Sequence, residues 1–135
     1  MGTADEEKAK SHLLDTYLKS FNAGNIEGII ESLDPEVQVC VEGTLTGDGR
    51  DTIVPSYLLD FEAKTQVSVT RAPVASTTTS SEGTHFIRVA IGLVSSRPGS
   101  PSTTLDVVYT YDGTTMKQVQ HDISNVQTSS TTNEK

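Results

Sequence analysis

Among the residues able to move protons, His121 and Asp122 stand together in KQVQHDISNV, where an apolar strand would have been easier to build. Either can act as an acid or base near neutral pH. Adjacent strand residues point to opposite faces, so only one of the two can face an interior, and the spacing does not say which. His85 and Arg88 flank the apolar run FIRVAIGLV; a histidine base and an anion-pairing arginine are conceivable, but their odd separation puts them on opposite faces. His12 stands beside Leu13 at the edge of a helical pattern. These three histidines show no metal-ligand spacing, and the single cysteine, Cys40 within VQVCV, reads as a small buried hydrophobe. No metal and no cofactor is expected. Gly47-Asp48-Gly49 reads as a turn, because no strand-loop-Lys phosphate cradle surrounds it, and no Gly-x-Ser-x-Gly nucleophile elbow occurs.

The elements that must position these groups begin with Leu13, Leu14, Tyr17, Leu18 and Phe21, which recur at helical spacing with Lys10, Asp15 and Lys19 opposite. Gly24 is placed to end that helix and Asn25 to cap the next, whose buried side is Ile26, Ile29, Ile30 and Leu33. Pro35 predicts a stop at Asp34. Val37, Val39 and Val41 then alternate as a strand, and EGTLTGDGR reads as a loop into a third helix. Asp51 is the expected cap of that helix, Ile53, Tyr57 and Phe61 its apolar stripe, and Pro55 is tolerable near its first turn. The rest reads as strands over Gln66–Val74, His85–Val94, Thr103–Tyr111 and Met116–Val126. Polar turns are expected at Ser76–Gly83 and Ser95–Pro101, and a hairpin at Asp112-Gly113. Helices first and hairpin-linked strands after predict an α+β fold of one domain over residues 1–126, with 127–135 a disordered tail.

Three stretches carry a resemblance to the nuclear transport factor 2-like superfamily of SnoaL-like cyclases and ketosteroid isomerases. They are Tyr17 through Asn22-Ala23-Gly24-Asn25, Gly49-Arg50-Asp51-Thr52-Ile53, and Asp112-Gly113. The resemblance implies a cone: three N-terminal helices packed on a curved antiparallel sheet around a pocket. It places Tyr17, five residues before Asn22, where isomerases keep the tyrosine that donates to a substrate oxyanion. The isomerase base position falls on Val41, with Glu42 one residue off, and the assisting acid falls on Val107, with Asp106 one residue off. Steroid isomerase activity is therefore not expected. SnoaL-like cyclases use a late acidic residue, a role that carried over loosely falls to Asp122, with His121 its rival. The implied cone is lined by Tyr17, Val39, Tyr57, Val107, Tyr109 and one polar group of the last strand.

A formal charge of −8 argues against nucleic acid and anionic membrane surfaces as partners. No apolar run reaches the ~20 residues of a membrane span, and the N-terminus resembles no signal peptide or complete myristoylation pattern, so a cytoplasmic location is expected. The expected function is binding of a hydrophobic carbonyl compound, with cofactor-free isomerisation or cyclisation by proton transfer if the protein is an enzyme. The competing expectation is a non-catalytic dimeric adaptor. FIRVAIGLV, together with Val67 and Val69, suggests burial on both sheet faces, and hence a homodimer under either reading.

Overall fold

Thr3 starts the first helix by a reciprocal exchange: its hydroxyl accepts from the Glu6 amide and the Glu6 carboxylate accepts from the Thr3 amide. The computed structural model describes residues 3–129. Helix α1 (Ala4–His12) continues through a wide π-helical turn (Leu13–Tyr17) into α2 (Leu18–Ala23). The wide turn rotates the apolar stripe, so Leu13 and Tyr17 are buried while Leu14, expected inside, is 37% exposed. Gly24, in the left-handed region at φ 70°, ends α2, and the Asn25 side chain accepts from the Gly28 amide to open α3 (Ile26–Ser32).

Strand β1 (Leu33–Val41) follows at once and already contains Pro35. The segment expected to be a loop instead forms β2 (Thr44–Asp48), joined to β1 by a turn at Glu42 and Gly43 with φ of 50° and 82°. A bulge at Thr46 in β2, not in β1, leaves Glu42 exposed in that turn, away from the interior. Helix α4 (Arg50–Glu62) is entered through Gly49 at φ 97°, without a side-chain cap; Asp51 lies inside its first turn rather than capping it. Pro55 falls just past that turn on the exposed side, where solvent can reach the carbonyl it leaves without a donor.

The remaining strands are β3 (Gln66–Thr79), β4 (His85–Ser96), β5 (Thr103–Asp112) and β6 (Gln118–Thr128). They form a six-stranded sheet in the order β2-β1-β6-β5-β4-β3. Every pairing is antiparallel except β1 with β6, which is parallel, so the sheet is mixed. β3 absorbs most of the Ser/Thr tract expected as a turn, and bulges around Arg71 bend it. Asp112-Gly113 opens a longer loop, with the Asp112 carboxylate accepting from the amides of Thr114 and Thr115. β6 runs two residues into the expected tail, and Ser129 donates to Ser102; residues 130–135 lie outside the described region, as do Met1 and Gly2.

The inner face of the sheet carries Ile87, Val89, Ile91, Leu93, Val107, Tyr109 and Tyr111, closed by Ala9, Leu13, Phe21 and Ile29 from the helices. Within one chain FIRVAIGLV buries Ile87, Val89, Ile91 and Leu93 on the inner face, while Arg88 and Ala90 on the other side are exposed, as is Val69. Among the described residues no helix is long and apolar enough to cross a membrane.

Candidate functional site

Tyr17 from the π-helical turn, Tyr57 from α4, and Tyr109 and His121 from adjacent strands converge on a cavity of about 270 Å³. Val39, Val107, Leu93, Leu105 and Ile123 of the sheet and Leu18, Phe21 and Ile53 of the helices complete its apolar wall. The exposed Thr46 and Ser56 and the half-exposed Asp60 mark its open end. Six of the seven residues singled out from the sequence (Tyr17, Val39, Tyr57, Val107, Tyr109 and His121) therefore share one cavity. Asp122 does not. Pairing of Tyr109 with His121 and of Val108 with Asp122 turns the histidine inward and the aspartate to the outer face, where Asp122 accepts from Gln120. Arg88 lies on that outer face too, in a groove with Thr110 and Asp122. His85 is exposed, its ring Nδ1 3.0 Å from the Thr79 hydroxyl, and Asp106 is held outside by Arg71 and Asn125.

Inside the cavity the Tyr17 and Tyr57 hydroxyls are 2.5 Å apart. Two phenols bring two protons to that contact and use one, which leaves one O–H to donate elsewhere. Burial pushes both phenols, and Tyr109, well above the ordinary value of 10; Tyr57 and Tyr111 reinforce the shift at Tyr17 and Tyr109, and Tyr17 opposes it at Tyr109. They remain neutral donors. The His121 ring lies edge-on to Tyr109 at 4.7 Å and to Tyr17 at 6.0 Å between centroids, and burial lowers its pKa to about 3. Its Nε2 is 2.6 Å from Oε1 of Gln118, a carbonyl oxygen that can only accept, so Nε2 carries the proton. Nδ1 keeps its lone pair and has no hydrogen-bond partner among the described residues.

Two residues of the site were not singled out from the sequence. Gln118 is fully buried because a bulge at Val119 turns it to the same face as His121, a placement that strict alternation forbids. Asp60 stands one helical turn beyond Tyr57, a spacing visible in the sequence. Its carboxylate accepts from Arg97 at 2.9 Å and Thr65 at 3.3 Å; burial raises its pKa, and Arg97 opposes that rise. Among the described residues no three His, Cys, Asp or Glu side chains gather as metal ligands, and Cys40 is half-buried with a free thiol.

A pocketed cone of helices on a curved mixed sheet is the nuclear transport factor 2-like fold, and solved structures agree. A putative aromatic ring hydroxylase from Novosphingobium aromaticivorans superposes with a TM-score of 0.68 at 10% identity, over 96% of either chain. SalBIII, an epoxide hydrolase/cyclase-like enzyme with a role in pyran ring formation in the polyether salinomycin, gives 0.64 at 14% identity, over 93% of this chain and 99% of its own. An NTF2-like protein of unknown function from Cytophaga hutchinsonii gives 0.59 at 9% identity, over 89% of each chain. No family model and no curated protein matches the sequence.

Proposed function

We propose that the cone binds a small, largely apolar compound bearing a carbonyl oxygen and catalyses a cofactor-free proton transfer on it, an isomerisation or cyclisation. One observation carries this reading: a neutral imidazole with an unpartnered Nδ1 shares an apolar cavity with a phenol pair that has one proton to give. The free hydroxyl of the Tyr17–Tyr57 pair donates to the carbonyl oxygen and stabilises the negative charge that develops there. His121 Nδ1 takes a proton from the adjacent carbon and returns it elsewhere on the same molecule, so nothing is consumed. Burial alone makes this nitrogen a weak base; the developing oxyanion in the same low-dielectric cavity favours the imidazolium and offsets that effect.

The cavity also bounds the ligand. At about 270 Å³ it exceeds the ~150 Å³ that holds a benzene and falls below the ~300–1,000 Å³ of drug-sized sites. One- or two-ring compounds suit it better than steroids. The SalBIII comparison supports the reading to the extent that this fold hosts ring-forming chemistry elsewhere. An unfilled cone likewise favours a small-molecule role over a dimeric adaptor.

A thermal-shift screen of one- and two-ring ketones and lactones tests the proposal. A ligand at a hundred times its Kd adds ~2.7 kcal/mol and raises Tm by several degrees. Either phenol can hold the spare O–H, so Tyr17→Phe combined with Tyr57→Phe should weaken a hit about fivefold to tenfold, the loss of one hydrogen bond, with under ~1 kcal/mol change in stability because both partners leave together. Silence across the set, or a hit bound equally by the double variant, would remove the pocket assignment.

A further inference from the structure

Ser32, at the end of α3, donates its only proton to the Gly28 carbonyl at 2.8 Å. Its oxygen can then only accept from His12 Nε2, 3.3 Å away. Neutral His12 therefore carries its proton on Nε2, and its Nδ1 must accept from the Tyr111 hydroxyl at 2.9 Å. Tyr111 has spent its proton, so it accepts from the Gln118 amide nitrogen at 2.9 Å. An amide with its nitrogen towards Tyr111 presents its oxygen to His121, whose Nε2, 2.6 Å away, must be protonated. Once a backbone carbonyl fixes the first link, every later link has one permitted direction. His12 is half-buried, and burial together with the nearby Lys117 charge disfavours its imidazolium, which keeps the chain in this sense.

We infer that Gln118, Tyr111, His12 and Ser32 are positioning residues for His121: they hold one tautomer, so that Nδ1 is presented to the cavity as an acceptor. The functional weight of this inference rests on the reading of His121 as the proton acceptor; the tautomer itself does not. Gln118 cannot pass a proton along, so the chain orients the imidazole and does not conduct.

Ring-nitrogen NMR of the 15N-labelled full chain tests it, with His121 assigned by comparison with His121→Gln. Wild type should show His121 as a single form protonated at Nε2. Ser32→Ala removes the fixed first link and lets His12 hold either tautomer, while Tyr111→Phe cuts the chain and frees the Gln118 amide to turn over. In each, a His121 form protonated at Nδ1 should appear beside the first. A wild-type mixture, or the pure Nε2–H form retained in either folded variant, overturns the inference. If the buried Tyr111→Phe change disturbs the backbone spectrum, Ser32→Ala decides. The readout needs no ligand, so an unproductive screen and a failed tautomer test remain separate results.

Discussion

His121 enters the core without a counter-charge, and that has a thermodynamic consequence. The folded imidazole titrates at about 3 and the unfolded one at its ordinary 6.5. Between those values the unfolded chain binds more protons than the native state, so stability is fully present above pH 6.5 and is lost as pH falls towards 3. The cost is roughly 1 kcal/mol per pH unit across that window. Urea titrations at several pH values should show wild type losing stability more steeply than His121→Gln; equal slopes would mean that the imidazole is not buried. Half-buried His12, also shifted downward, adds to the wild-type slope with the same sign in both proteins. The rivalry between His121 and Asp122 could not be resolved from alternation, because alternation fixes opposite faces but not which face is inner. Cross-strand pairing with Tyr109 decides it. Gln118 was hidden more deeply, since a bulge reverses its parity and no residue type announces a bulge.

At the scale of elements, Gly28 shows packing overriding propensity. A glycine inside α3 gives up about 1 kcal/mol of helix stability relative to alanine. Yet a Cβ there would collide with the Ser20 hydroxyl and lie 2.9 Å from the Ser20 Cβ, a rigid neighbour on α2. Overpacking of that kind costs typically ~1–3 kcal/mol. Gly28→Ala should therefore destabilise the protein in chemical denaturation despite the better helix former; a gain in stability would show that α2 and α3 have room to separate. The helix boundaries at Gly24 and Asn25 were legible because backbone chemistry specifies them locally. The π-helical turn was not: it accompanies the burial of Leu13 and Tyr17, which no local residue choice announces. β2 was concealed by the glycines in and beside it: Gly47 reads as a turn residue but is there because a Cβ would meet Ile53 Cγ2 at 2.6 Å.

For the whole molecule, the parallel pairing of β1 with β6 joins segments some eighty residues apart, and no hairpin signal can disclose such a contact. It is also the contact that closes the cone, because it sets Val39 beside His121. The cone gathers more than its lining. The chain has no tryptophan and four tyrosines; Tyr17, Tyr57 and Tyr109 line the cavity, and Tyr111 belongs to the chain that holds His121. Nearly all near-ultraviolet absorption and emission of the protein therefore originates at the candidate site, and a compound entering it can be followed without a label. All four phenols are pushed upward by burial, so the native state holds protons that the unfolded chain releases near pH 10, and stability falls as pH rises beyond that value. In an alkaline titration, phenolate absorbance should appear only together with the loss of far-ultraviolet circular dichroism. Phenolate appearing while the fold persists would mean an open, hydrated cone. The protein carries its own optical gauge of whether that cone is shut.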